Sequence, residues 1–227
     1  GEHPDRVFNF GGMGIDAIRR IKLLSREELE RSLELSLGEK SLLVTFHPVT
    51  LEGGASSAAQ MGELLAALEG LDDTTLIFTM PNADTGGREL SAMVREFAQG
   101  HPNAKVYMSL GQLRYFSCLA QIDGVVGNSS SGLAEAPSFK IGTVNIGDRQ
   151  KGRLKANSVI DCEPNQKAIE AALEQLYSAE FQASLAAVSN PYGNGGASKA
   201  IVKALAEYPL ENIRKKQFYN LSANDFS

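Results

Sequence analysis

Residues 42–46 read LLVTF and run directly into His47 and Pro48, and residues 76–80 read LIFTM and run into Pro81, Asn82, Ala83 and Asp84. Apolar side chains at successive positions, not alternate ones, are what a strand covered on both faces requires, as in a parallel sheet. Working outward, residues 75–80 form one such strand and comparable short runs lie at 7–10, 105–108, 124–127, 143–146 and 159–162. Helical patterns fill the gaps. Residues 24–37 open with Ser25 and, three positions on, Glu28, the reciprocal arrangement of a capping box, and stop at Gly38. In 56–71, Met61, Leu64, Leu65 and Leu68 recur at helical spacing, and 89–99 and 112–121 carry similar stripes. This alternation predicts right-handed βαβ crossovers and an α/β fold: one doubly wound, Rossmann-like parallel sheet over about residues 7–205. Further helices are expected over 165–177, 178–188 and 197–208, with Pro209 ending the last and 209–227 forming a polar C-terminal extension.

Composition narrows the function classes. With 43% hydrophobic and 22% charged residues, the 227-residue chain can bury a core, which excludes a disordered or collagen-like protein. Lys and Arg number 22 against 27 Asp and Glu, and the net charge of −5 disfavours a general partner in nucleic acid or an anionic membrane while leaving room for a local phosphate pocket. Cys118 and Cys162 form neither a disulfide framework nor a CxxC pair. No apolar run approaches the roughly 20 residues that span a bilayer, and GEHPDR lacks the order of a signal peptide, so a cytoplasmic, reducing compartment is expected. The chain opens on Gly1 in a turn-like GEHPD, so a piece of a longer protein is expected.

In a doubly wound sheet, ligands bind beyond the carboxyl ends of the strands. Four strand-end loops here are polar: His47-Pro48, Pro81 through Asp84, Asn128 through Gly132, and Gly147-Asp148-Arg149. The GNSSSGLAEAP stretch places hydroxyls and glycine between a strand and a short helix, where unsatisfied N–H groups favour an anion. Ser129 and Ser130 are therefore diphosphate candidates, with an ordinary serine N-cap as the other reading. Lys140, Arg149, Lys151, Arg153 and Lys155 follow, opposed in that stretch only by Asp148, which is expected to pair with Arg149. Glu135 can accept ribose hydroxyls or can be a solvated acid. Tyr115 reads as a core aromatic or as a ring for a base to stack on. His47, held extended by Pro48, can donate to a phosphate or act in acid–base chemistry, or be structural. His3 and His101 are expected at the surface. No HExxH, GxSxG, P-loop or metal-ligand cluster occurs, and GGMG at 11–14, after an expected strand, lacks GxGxxG spacing.

Five segments, FHPVT, MPNADTGG, LGQLRYFSCLAQIDGVVGNSSSGLAEAP, VNIGDRQKGR and NPYGNGGASKAI, together resemble the UDP-N-acetylglucosamine 2-epimerase family. The GNSSSG form is similar to that of hydrolysing members of the sialic-acid-pathway type. The resemblance covers nearly the whole chain and implies the C-terminal half of a two-domain glycosyltransferase-B architecture whose N-terminal half is absent. By position it implies His47 as a catalytic-site histidine near the sugar phosphate, Asn82 as a substrate-site residue, the backbone around Leu110 as a reader of the base edge and Tyr115 as the uracil-stacking aromatic. Ser129 and Ser130 become diphosphate ligands, Glu135 the ribose ligand and Arg149 an anion-pairing arginine, while Arg88 and Arg153 match basic family positions.

The implied reaction is elimination of UDP through a 2-acetamidoglucal and hydration to N-acetylmannosamine, with no cofactor and no metal. The carboxylate base is expected in the N-terminal half, so this chain alone is expected to be inactive. Implied partners are the UDP-sugar, that other half and, in the full-length form, further copies of itself. Alternatives are an epimerase of a UDP-diacetamido sugar, a non-catalytic UDP-sugar-binding module, and a glycosyltransferase-B transferase.

Overall fold

Leu42, Val44 and Phe46 point to one side of the sheet and Leu43 to the other, so the LLVTF run is buried twice over. The computed structural model describes residues 1–49, 56–81, 86–211, 215 and 218–220. Among them, β1 (Lys40–Thr45), β2 (Thr74–Thr79), β3 (Ala104–Tyr107), β4 (Gly124–Gly127), β5 (Gly142–Ile146) and β6 (Val159–Cys162) form one sheet. The order is β3-β2-β1-β4-β5-β6 and every pairing is parallel. The chain builds outward from β1 to β3, then returns to lay β4 on the free side of β1. Order therefore reverses between β1 and β4, which opens a crevice at their carboxyl ends. This is the Rossmann-like α/β arrangement that the apolar runs predict.

The helices, in chain order, are α1 (Met13–Arg20), α2 (Arg26–Leu33), α3 (Ser57–Leu68), α4 (Gly87–Gly100), α5 (Gly111–Leu119), α6 (Ser131–Ala134), α7 (Gln166–Tyr177), α8 (Ala179–Ser184) and α9 (Ala197–Glu207). Leu64 and Leu68 of α3, Leu90 and Val94 of α4, and Ile169 and Leu173 of α7 cover one face of the sheet. Leu29 and Leu33 of α2 and Phe116 and Leu119 of α5 cover the other. Each such side chain, fully buried, contributes about 1.5–3 kcal/mol. The capping box forms: Ser25 Oγ accepts from the Glu28 N–H, and Glu28 accepts from the Ser25 N–H. Among the described residues no helix is long and apolar enough to cross a membrane.

Four expectations need correction. Residues 7–10 are not a strand; Val7 and Phe8 are exposed, and Phe8 instead stacks on Phe10 and meets Tyr208 edge-on. Among the described residues, their β-rich composition has no neighbouring strand to bond with, and strand formation needs that ladder. The helix expected over 24–37 ends at Leu33, because Glu34 turns left-handed at φ 49° and its N–H closes the last turn on Arg31. The glycine-rich GGMG does not follow a strand; it leads into α1, whose Asp16 accepts from the Gly196 and Ser198 N–H groups and so caps the start of α9. The segment expected to be helical over 178–188 is α8 followed by a 3-10 turn, Leu185–Ala187.

One glycine is required by the crevice itself. Gly127 pairs with Thr45 and has φ 133°, and a Cβ on it would sit 2.0 Å from the Thr45 carbonyl oxygen. Only glycine permits that approach.

Candidate functional site

The reversal point brings the loops after β1 and β4 together, and one buried side chain ties them. The His47 N–H donates to Asn128 Oδ1 at 2.7 Å, and Asn128 Nδ2 donates back to the His47 carbonyl at 2.9 Å. Asn128 is fully buried, so both ends of its amide are satisfied by this one backbone segment. Its own carbonyl accepts from Arg149 Nη1 at 3.0 Å and Gln150 Nε2 at 2.8 Å, which adds the loop after β5. The sequence marks Asn128 only as one member of a polar strand-end loop and gives Gln150 no role; both look like ordinary loop polars until the sheet order places them side by side.

Beyond Asn128 the chain turns through Ser129 and Ser130 into α6, a single helical turn. Ser130 stands at the N-cap position, but its side chain makes no capping bond. The Ser131 N–H reaches Ser129 Oγ only at 3.4 Å. The ordinary N-cap reading thus does not describe Ser130, whose hydroxyl stays available at the cleft.

A cavity of about 460 Å³ opens here, lined by His47, Leu110, Tyr115, Ser129, Ser130 and Glu135 among others. Larger spaces of about 610 and 530 Å³ lie among the chain's first and last segments, around Tyr208, and share no residue with the strand ends. Leu110 is buried at the N-cap of α5, and its carbonyl accepts from Arg114 Nε at 2.9 Å. The Tyr115 phenol donates to Ser131 Oγ at 2.5 Å, and burial pushes its pKa well above the ordinary value. Glu135, at the end of α6, is half-buried; burial raises the pKa of its carboxyl, against hydrogen bonds from the Ser131 hydroxyl and its own N–H that lower it. α1 closes over this carboxylate: a Cβ on Gly14 would lie 3.3 Å from Glu135 Oε1.

The basic residues separate. Of the five cations in the stretch 140–155, Arg149 is the one that joins Asn128. Asp148 does not oppose Arg149 as expected; its carboxylate lies 3.4 Å from Lys151. Lys155 is held by both Asp161 oxygens at 2.7 Å, and Lys140 donates to the Ala186 carbonyl. Arg153 is exposed and lines a different space of about 430 Å³, beside Asp161 and Glu163. Arg88 is exposed in the first turn of α4, outside the 460 Å³ cavity's lining. Asn82 and Asp84 lie outside the described residues. Five cations close in sequence are therefore not one patch, because the turn after β5 aims them apart. Among the described residues, no group of three or more His, Cys, Asp or Glu is placed to hold a metal ion.

The cleft can thus offer hydroxyls to an anion at one end, with Arg149 held on the Asn128 carbonyl outside the lining, and a carboxylate beside an aromatic ring at the other. A family model described as UDP-N-acetylglucosamine 2-epimerase matches residues 1–206. A GDP/UDP-N,N'-diacetylbacillosamine 2-epimerase (hydrolyzing) of Campylobacter jejuni is 37% identical over 97% of this chain and 57% of its own length. A UDP-N,N'-diacetylbacillosamine 2-epimerase (hydrolyzing) of Legionella pneumophila is 31% identical over 93% of this chain and 54% of its own. The chain thus spans little more than half the length of these relatives. In structure it is similar to an S. aureus MnaA–UDP co-structure, with a TM-score of 0.71 and 19% identity over 96% of this chain and 57% of that one. A match over nine-tenths of the sequence, on a sheet of the same fold, leaves one assignment: this chain belongs to the UDP-N-acetylglucosamine 2-epimerase family.

Proposed function

We propose that this chain is the nucleotide-binding, C-terminal half of a hydrolysing 2-epimerase acting on a UDP-linked acetamido sugar. The observation that carries the reading is the convergence, at the β1/β4 reversal, of His47, the serine turn and Glu135 on one cleft. Ser129 and Ser130 hold the diphosphate, with Arg149 using the guanidinium donors that its bond to Asn128 leaves over. Glu135 accepts the ribose hydroxyls, the Tyr115 ring lies against the base, and the backbone at Leu110 reads the base edge. His47 donates to the phosphate that carries the sugar.

In the reaction, a carboxylate from the rest of the protein removes the C2 proton while the C1–O bond breaks and its electron pair leaves with UDP. Charge growing on the leaving diphosphate is what the serine turn and Arg149 stabilise. Water then adds across the C1–C2 double bond of the glycal, a proton to the opposite face of C2 and hydroxyl to C1, releasing the free 2-epimer. With UDP-N-acetylglucosamine the product is N-acetylmannosamine. The names of the Campylobacter and Legionella relatives favour a second substrate, the UDP-diacetamido sugar, in which the same bonds are made and broken.

The test follows UDP and free sugar by NMR with each of the two UDP-sugars, using this chain alone, the protein of the relatives' full length, and that protein with His47→Ala. Turnover only in the longer protein, strongly reduced by His47→Ala, is expected. Sustained turnover by this chain alone would overturn the divided site, and full activity with His47→Ala would remove the histidine from it.

A further inference from the structure

The sequence reads Ser131 only as part of a polar strand-end loop, and it is not in the ligand set above, yet it stands between two residues that are. It opens α6 and Glu135 ends it, four positions on, with the Glu135 N–H bonded to the Ser131 carbonyl at 2.9 Å. An i, i+4 pair shares one helix face, and the serine and the carboxylate line the same cavity, where the serine hydroxyl holds the carboxyl's pKa down against its burial. On its other side the same oxygen meets the Tyr115 phenol at 2.5 Å.

Donor and acceptor capacity sets the direction of each contact. With the serine oxygen taken by Tyr115, the single hydroxyl hydrogen of Ser131 is left to offer to Glu135, whose ionised carboxylate only accepts. The serine oxygen must then accept from Tyr115, which burial keeps protonated and able to donate. Each donor in such a chain polarises the next, which strengthens the serine as a donor. Gly14 also lies close to the carboxylate, since a Cβ there would sit 3.3 Å from Glu135 Oε1.

We propose that Ser131 is a positioning residue: its hydroxyl, fixed by Tyr115, donates to the Glu135 carboxylate and holds it aimed into the cleft where the ribose hydroxyls bind. The inference rests on the reading of Glu135 as the ribose ligand. It adds that the base-side ring and the ribose-side carboxylate are mechanically one unit, joined through the serine between them.

Among the described residues, the titratable groups facing Glu135 are Tyr115 from α5, through Ser131, and His47 from the loop after β1, which lines the same cleft. α1 presents Gly14 to it, while the nearby Asp16 is turned to α9. Loss of the serine donor leaves burial unopposed by that bond, so the carboxyl must titrate at higher pH.

The experiment measures the Glu135 carboxyl titration by ¹³C NMR without ligand, assigned by its absence in Glu135→Gln, and UDP affinity by calorimetry at pH 7. Ser131→Ala is expected to raise the titration midpoint and weaken UDP binding by about five- to tenfold, the loss of one charge-assisted hydrogen bond. Ser131→Thr keeps a hydroxyl and should restore both. Tyr115→Phe, which leaves Ser131 in place, should raise the midpoint by less, and it carries the test if Ser131→Ala does not fold. An unmoved midpoint in Ser131→Ala, or in Tyr115→Phe where that variant stands alone, overturns the proposal. If Glu135→Gln binds UDP as well as the parent while Ser131→Ala still shifts the midpoint, the ribose assignment fails and the Ser131–Glu135 linkage stands.

Discussion

His47 and Asn128, on loops 81 residues apart in the chain, exchange two hydrogen bonds in which one amide side chain stands in for a neighbouring strand. β1 ends at Thr45, so the histidine lies just past the ladder, and without Asn128 its N–H and carbonyl would lose both of these partners. Main-chain groups buried without partners each cost about 1–3 kcal/mol.

Asn128→Ala is therefore expected to lower unfolding free energy by about 2–4 kcal/mol in urea, more than a typical single substitution. Asn128→Asp keeps the volume and still accepts from the His47 N–H. Ionised, however, it sets an oxygen against the His47 carbonyl; protonated, it can donate there. This variant should be less destabilised at pH 5 than at pH 8, and equal stability at the two values would argue against the pairing as drawn.

The chain should bind UDP more tightly than uridine, about tenfold or more, since the serine turn and Arg149 offer charge-assisted bonds that uridine lacks. Glu135→Gln should weaken UDP by about 1–3 kcal/mol as bonds to a charged acceptor become neutral ones. Calorimetry decides both: equal affinity for UDP and uridine removes the diphosphate reading, and an unchanged Glu135→Gln variant removes the ribose reading.

Gly14→Ala adds a carbon 3.3 Å from Glu135 Oε1, tighter than an ordinary contact. Carboxylate or helix must shift by a few tenths of an ångström. UDP affinity should fall severalfold while the melting temperature moves by only a few degrees, about 1 kcal/mol of stability or less. A purely local adjustment of α1 would leave the affinity untouched.

Asp16 gives a pH dependence whose sign can be worked out. Hydrogen bonds from Ser198, by side chain and backbone, and from the Gly196 N–H hold its pKa at about 2, below the ordinary 3.8. A depressed carboxyl contributes stability that is fully present above the unfolded value and is lost as pH falls through the folded one. Unfolding free energy should thus decline between about pH 4 and pH 2 through this group. Asp16→Asn should flatten that part of the curve, as measured by urea denaturation across the range, and an identical slope in the variant would exclude the contribution.

What was legible in the sequence is what depends on near neighbours. LLVTF and LIFTM announce doubly covered strands, and Ser25 with Glu28 announces a helix start, because each signal is complete within a few residues. Residues 7–10 show the limit: their composition matches a strand, but the pairing that makes one lies elsewhere or nowhere in the described residues. Cleft residues next to a strand end, His47, Ser129 and Ser130, were legible for the same reason. Asn128, Ser131 and Gly14 were not, since their roles exist only once α1, α5 and the β1/β4 reversal are assembled. The basic stretch misled in the other direction, because proximity along the chain does not decide where Lys155 or Arg153 points.

The two donors that Arg149 and Gln150 send to the Asn128 carbonyl reach beyond local stability. Three loops that follow separate strands are latched to a single residue, Asn128, through its side chain and its carbonyl, so they tilt as one panel. The entropy of ordering that panel is incurred when the chain folds and not when a nucleotide arrives. Loosening any one latch should therefore register at all three loops, as faster amide exchange spread over the whole wall.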